Sequence, residues 1–490
     1  MAYSDPSTAV DHFIWGLATL PTYASMDNLL RKAFTAEEEI RQLFAVNPHS
    51  HVLQNLLLGL VDVFGINPAL RRTRAREIVT ECDLTRDYIF PVDASFRRPN
   101  LMPSTVPDIN IFRENWELFT HGTLSKMTAH DWENVIAAGG SVLACLSPPQ
   151  PSIPAKTLND LYQSKTYATS DIDLFLWGLS PEQAKFKMER VYQAVCEAAP
   201  WNVTCVRKAH RRILAVPSKS FSDFINPQLK FWLDLMSTLH AAPSMDVVES
   251  TLTKAGKNVW VNPRSLGAII RQANTIDMAR RSPSYELRLA KYAERHYEIY
   301  LPSLNRPQVD PLVFAPRLQA WPQGLARLLA LERSYYDPHH YLFLTYPERR
   351  VLKKAPKSKI RNLRSKSNAA PPLITSDYDY SLGQAQIPYG PLWDAAAIAE
   401  MISKTPILLA WYEDSQQPHK HIFFAGDMQQ CLGTFCSECA DQGGEGFDRD
   451  VYIRGHAQFL VKNPDPQLAT ASFRPIEIGD WEGKAYARPN

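Results

Sequence analysis

Two aspartates in the second quarter of the chain have the spacing of a metal-binding pair. Asp171 and Asp173 stand two positions apart in the segment 170–176, where polar and apolar residues alternate. This alternation predicts a strand, and residues i and i+2 of a strand lie on the same face. Neighbouring carboxylates repel one another, and a cation that prefers oxygen ligands, Mg2+ or Mn2+, removes that repulsion. The pair predicts a cation site, although such pairs are also common on solvated surfaces.

A glycine turn precedes this pair along the chain. Gly139, Gly140 and Ser141 separate the apolar segments 135–138 and 142–146. Glycine lets backbone N–H groups approach an anion closely, and the position predicts a helix start, which favours negative charge. We expect these three residues to contact a phosphate group. The alternative is an ordinary turn.

The segments around these residues show strand and helix patterns. A capping box and apolar residues at helical spacing predict a helix from Pro181 towards Pro200. Short strands are predicted at 202–206 and 212–216, and a hairpin joins 245–249 to 258–261. The proline-containing residues 147–169 predict a polar loop, and 264–300 have a helical pattern.

Length and composition are those of a globular protein. The chain has 490 residues, of which 45% are hydrophobic and 21% charged, which excludes disordered, collagen-like and coiled-coil proteins. The fold class predicted is α+β. We expect a helical N-terminal region with an extended connection (1–110), a core with a helical extension (111–345), a basic proline-containing flexible loop (346–384) and a small α+β unit (385–490). In the first region, a capping box at Thr35–Glu38 predicts a helix start.

Charge and cysteine content limit the possible binding partners and the cellular compartment. The formal net charge is only +2, so a basic site must be local. Residues 349–367 carry nine Lys or Arg and no acid, which fits nucleic-acid binding or a solvated loop. Seven scattered cysteines, no basic N-terminal leader and no long apolar segment predict a cytoplasmic or nuclear protein that does not cross a membrane. The group Cys431, Cys436, Cys439, His419 and His421 lacks a common zinc spacing, so buried thiols are expected.

The glycine turn and the Asp pair together resemble a known signature. Gly139-Gly140-Ser141 followed by Ser170-Asp171-Ile172-Asp173-Leu174-Phe175 is similar to that of the nucleotidyltransferase superfamily of the DNA polymerase beta type. The resemblance implies a mixed sheet with flanking helices. It also implies metal binding by Asp171 and Asp173 and phosphate contact at the turn.

The same resemblance implies a third acid on a later strand and a group of triphosphate-binding side chains. Asp246 is favoured as that acid, because it stands alone among strand-forming residues, and Asp234 is the alternative. Arg280, Ser284 and Lys291 fall where such enzymes bind the triphosphate, but these charges also fit the solvated face of a helix. Stretches around the turn, the Asp pair and 280–286 also look like an uncharacterised family of fungal and large-virus proteins, some of which carry ankyrin repeats.

The expected activity is metal-dependent transfer of a nucleotidyl group. A nucleoside triphosphate would be the donor, and a hydroxyl of RNA, protein or a small molecule would be the acceptor, with two Mg2+ ions (or Mn2+) at the acids. A module of the same fold that binds nucleotide, nucleic acid or protein without catalysis is the alternative.

Overall fold

The largest sheet of the described residues is mixed and has nine strands. The computed structural model describes residues 6–46, 50–55, 57–149, 158–163, 167, 172–176, 178–179, 181–199, 203–208, 212–217, 231–235, 252–254, 258–276, 285–302, 304–309, 311–314, 324–336, 423–426, 468–469 and 475–476. In these residues the fold is α+β.

The helices of the described residues precede, separate and follow the strands. They are α1 (Pro6–Thr19), α2 (Asp27–Val46), α3 (Glu81–Thr85), α4 (Ile109–Phe119), α5 (Gly140–Leu146), α6 (Leu158–Gln163), α7 (Pro181–Ala198), α8 (Pro263–Arg271), α9 (Tyr285–Ala293) and α10 (Gly324–Tyr336), with short 3-10 turns at 51–54, 68–71, 306–308 and 311–314. None of these helices is both long enough and apolar enough to cross a bilayer.

The strands that the structure describes form three sheets. They are β1 (Val61–Asp62), β2 (Tyr88–Ile89), β3 (Val135–Ala138), β4 (Ile172–Leu176), β5 (Val203–Lys208), β6 (Arg212–Pro217), β7 (Phe231–Leu235), β8 (Leu252–Lys254), β9 (Asn258–Val261), β10 (Ala273–Thr275), β11 (Glu298–Tyr300), β12 (Phe423–Gly426), β13 (Leu468–Ala469) and β14 (Pro475–Ile476). The large sheet has the order β1-β9-β8-β3-β4-β7-β6-β5-β12, and the smaller sheets are β10-β11-β2 and β13-β14. Within the large sheet β4 and β7 are parallel, and the other neighbouring pairs are antiparallel.

Helices cover one face of the large sheet. Ile172, Leu174 and Leu176 of β4 are fully buried in a core that also contains residues of α1, α2, α4, α5, α7 and α8. Asp173 and Phe175 alternate with them and are half-buried on the opposite face. The period of two in the sequence thus places the acid on the face away from the main core.

A second core lies beside the small sheet. Ile89 and Ile299 of that sheet pack with Tyr285 and Leu289 of α9 and with apolar residues of α10. Tyr292 of the same helix belongs to the main core. Helix α9 therefore joins the two cores.

Several predicted elements are confirmed. The strands at 172–176, 203–206 and 212–216, the helix from Pro181 and the strand, turn and helix around Gly139 occur as expected. The predicted hairpin has β9 as its second strand, but its first strand is β8 at 252–254, and 245–249 lie outside the described residues.

Three local predictions are wrong. Helix α2 begins at Asp27, where the Ser25 hydroxyl accepts a hydrogen bond from the Asp27 N–H, so Thr35 lies inside the helix. The pattern at 264–300 is broken by β10, since Gln272 has a left-handed backbone and ends α8. The loop 147–169 contains α6, whose Tyr162 is buried against Phe119 with ring centroids 5.1 Å apart.

Candidate active site

The glycine turn lies between a fully buried strand and a short helix. All four residues of β3 are buried, and Gly139 has a φ of +85°, a conformation that side chains rarely allow. The Leu143 N–H then donates to the Gly139 carbonyl at 3.3 Å, which begins the helical hydrogen bonds. Ser141 is fully buried, and its hydroxyl donates to the Ala138 carbonyl at 3.5 Å. The turn therefore offers backbone groups rather than this hydroxyl.

The Asp173 carboxylate lies directly against the turn. Strands β3 and β4 pair antiparallel, and Ala138 stands opposite Asp173. A Cβ atom at Gly139 would be only 2.9 Å from Asp173 Oδ2. The sheet register thus brings together two predicted site residues that thirty-odd positions separate in sequence.

An arginine that the sequence analysis did not select lies against the second glycine. A Cβ atom at Gly140 would be 2.8 Å from Arg295 Nη1 and 3.1 Å from Nη2. The guanidinium also faces the rings of Tyr292 and Tyr167, with its carbon 5.1 and 5.5 Å from their centroids. One feature of the sequence could have pointed to Arg295. It stands four residues after the predicted site residue Lys291, and side chains with this spacing share a helix face.

The other predicted residues are placed in part. Lys291 is half-buried near the end of α9, one turn before Arg295. The remaining predicted positions lie outside the described residues, and they are Asp171, Asp246, Arg280, Ser284, the basic segment 349–367 and the Cys431, Cys436, Cys439, His419 and His421 group.

The alternative third acid, Asp234, has a defined position in the sheet. It belongs to β7, which runs parallel to β4 as its direct neighbour, and it pairs in register with Phe175. Asp234 is therefore one strand away from Asp173 and two positions further along in the register.

The groups around the turn carry opposite charges. Burial raises the pKa of Tyr167 to about 12, and the charge of Arg295 acts in the opposite direction. Tyr167 is therefore a neutral phenol at physiological pH. Two charged groups lie against the turn itself, the carboxylate of Asp173 and the guanidinium of Arg295.

The donor set fits a cation that prefers oxygen ligands. Asp173 supplies a half-buried carboxylate beside a turn with no side-chain bulk. Within the part of the chain that the structure describes, no three His, Cys, Asp or Glu side chains form a metal-binding group.

The comparisons with known proteins give one distant relative. An uncharacterised protein of Acanthamoeba polyphaga mimivirus is 25% identical over 240 residues, which cover 46% of this chain and 47% of the viral protein. The matched segment thus spans about half the length of that relative. No family model matches the chain, and no solved structure matches it.

Proposed function

We propose that this protein is a metal-dependent nucleotidyltransferase. One observation carries the proposal, namely the Asp173 carboxylate seated on the Gly139 turn, with Oδ2 2.9 Å from the position of a Cβ atom. An acid that can bind a metal and a backbone that can approach a phosphate are thereby adjacent. A nucleoside triphosphate with its bound cation needs both, because the cation binds carboxylates and the phosphates bind backbone N–H groups. An ordinary surface acid or an ordinary turn does not need the other beside it.

The roles of the residues follow from this arrangement. Asp171 and Asp173 would hold the cation, and the backbone of Gly139 and Gly140 would bind phosphate oxygens. Bound Mg2+ or Mn2+ would neutralise the triphosphate and lower the pKa of the acceptor hydroxyl. The acceptor hydroxyl would lose its proton to water, its oxygen would attack the α-phosphorus in line, the bond to the β-phosphate would break, and pyrophosphate would leave. Lys291 would contribute positive charge from α9.

Two acids compete for the third ligand position. Asp246 remains the sequence-based prediction, and the register of β7, which pairs directly with the strand of Asp173, supports Asp234. Replacing each acid by Asn distinguishes the two candidates, because only the replacement of the acid that binds the metal should weaken Mn2+ binding by the purified protein. Electron paramagnetic resonance of Mn2+ measures that binding directly.

The central test replaces Asp173 by Asn and uses Asp11→Asn as the matched control. Asp11 is an exposed acid on α1. We expect Asp173→Asn to reduce pyrophosphate release by at least about 100-fold, the size of effect seen when one electrostatic contact to a transition state is removed, and Asp11→Asn to leave it unchanged. The assay uses the four nucleoside triphosphates with Mg2+ or Mn2+ over RNA, protein and polyol acceptors.

Two outcomes of this test would change the assignment. Wild-type turnover in the folded Asp173→Asn variant would overturn the proposed chemistry. Metal-dependent triphosphate binding by the wild type, without pyrophosphate release in any acceptor mixture, would favour the binding module over the enzyme.

A further inference from the structure

The end of helix α9 fixes Arg295 in place. The Tyr297 N–H donates to the Tyr292 carbonyl at 3.1 Å, and the His296 N–H donates to the Ala293 carbonyl at 2.9 Å. His296 has a left-handed φ of +63°, and the rings of Tyr292 and Tyr297 are in contact at 6.3 Å. These features define a Schellman motif, in which Arg295 is the C-cap residue that follows the last turn of α9. Its backbone direction is therefore set by the helix end.

The side chain of Arg295 is enclosed rather than solvated. It is 3% exposed, and its guanidinium lies between the bare Cα of Gly140 and the rings of Tyr292 and Tyr167. Desolvating a guanidinium is costly, so the surrounding structure must keep it there. Any residue larger than glycine at position 140 would occupy the space of Nη1.

Arg295 and Asp173 contact neighbouring residues of one turn. The carboxylate covers Gly139, the guanidinium covers Gly140, and consecutive Cα atoms are about 3.8 Å apart. Arg295 therefore brings a permanent positive charge to a turn that the acids make negative. Earlier on α9, Arg288 and Lys291 lie seven and four residues before Arg295, a spacing that places all three along one side of the helix.

We propose that Arg295 is a positioning residue for a polyphosphate at this turn. It holds the backbone of Gly140 in place and supplies the positive charge that favours a chain of phosphates over a single phosphate. Because so little of the guanidinium is exposed, it acts through the turn and through its charge. This inference rests on the proposed function, and it adds a preference for nucleoside triphosphates over monophosphates.

The test compares Arg295→Met with Arg264→Met in the full chain. Arg264 is also buried, lies over the Phe34 ring at 3.9 Å and pairs with Glu37 at 3.3 Å, and both of these partners belong to α2. The probes are whichever of ATP, GTP, CTP and UTP the wild type binds best with Mg2+, and its di- and monophosphate. Calorimetry gives each dissociation constant, and thermal unfolding gives the stability of each variant.

We expect both variants to unfold at lower temperature, but only Arg295→Met to lose affinity for the nucleotide. The dissociation constant of the triphosphate should rise about tenfold or more, that of the monophosphate should change little, and Arg295→Lys should recover part of the loss because it keeps the charge.

Equal losses for the three nucleotides, or none, would mean that Arg295 only stabilises the fold and would overturn the inference. A wild type that binds none of the four triphosphates with Mg2+ would overturn the proposed function and this inference together, so the two failures are distinguishable.

Discussion

Gly139 is the residue on which the geometry of the candidate site depends. Its φ of +85° suits glycine, and the space beside its Cα contains Asp173 Oδ2. A side chain there would strain the backbone and also move the carboxylate. These two effects can be separated with a second glycine that also has a positive φ but has no Asp173 carboxylate beside it.

We expect Gly139→Ala to abolish metal-dependent nucleotide binding, whereas Gly122→Ala should retain it. Gly122 has a φ of +65°, but the atom nearest to an added Cβ would be Glu117 Oε1 at a comfortable 3.6 Å. Both variants should lose about 1–3 kcal/mol of stability from the strained backbone. Chemical denaturation and calorimetric titration measure the two effects. Full nucleotide binding by Gly139→Ala would contradict the role of the turn.

Sequence patterns identified Gly139 and Asp173 because each carries a local signal. Glycines after an apolar strand indicate a turn, and alternation within 170–176 places Asp173 on the less apolar face. Arg295 has no such signal. Its contact with Gly140 depends on how the end of α9 packs against a turn more than 150 positions earlier in the sequence. A pattern within a short segment cannot reveal a contact between residues so far apart.

Helix ends explain the element boundaries that local patterns missed. Thr35 and Glu38 have the types of a capping box, yet Leu29 and Leu30 are buried before them and extend α2 towards its start at Asp27. Gln272 ends α8 in a left-handed conformation that usually selects glycine or asparagine. Its buried side chain explains the exception, because it accepts a hydrogen bond from the Arg98 N–H and donates to the Phe96 carbonyl.

The end of α9 makes stability depend on pH. His296 occupies its left-handed position and stacks on Phe96 with centroids 4.1 Å apart. Burial, with the nearby charge of Arg98, lowers the pKa of His296 below its ordinary value of 6.5. The unfolded chain then binds a proton that the folded chain does not, so stability should fall as the pH drops below about 6.5.

We expect His296→Asn to weaken this acid sensitivity between pH 7.5 and 5.5. Asparagine tolerates the left-handed conformation and does not titrate in that range. Part of the sensitivity should remain, because burial lowers the pKa of His121 too. Denaturation midpoints across the pH range measure the slope, and an unaltered slope in His296→Asn would refute the assignment.

Considered as a whole, the protein connects distant parts of its chain through buried charges. Glu298 of β11 is 2% exposed, pairs with Arg76 at 2.9 Å and with Arg97, and accepts a hydrogen bond from the Val92 N–H at 3.0 Å. Both arginines belong to the region before residue 110, and β1 of that region joins the large sheet beside β9. The first hundred residues thus stabilise the segment that carries α9 and Arg295.

We expect Glu298→Gln to destabilise the protein by about 3 kcal/mol or more, because it leaves two largely buried arginines without their carboxylate. The control is Glu133→Gln, which removes a solvent-exposed pair with His130 and should cost well under about 1 kcal/mol. Urea unfolding gives both values. Since Glu298 follows Arg295 closely, we also expect loss of triphosphate affinity in Glu298→Gln at urea concentrations where the wild type still binds. Equal stability of the two variants would show that the cluster contributes nothing to holding the N-terminal region against the segment that carries α9.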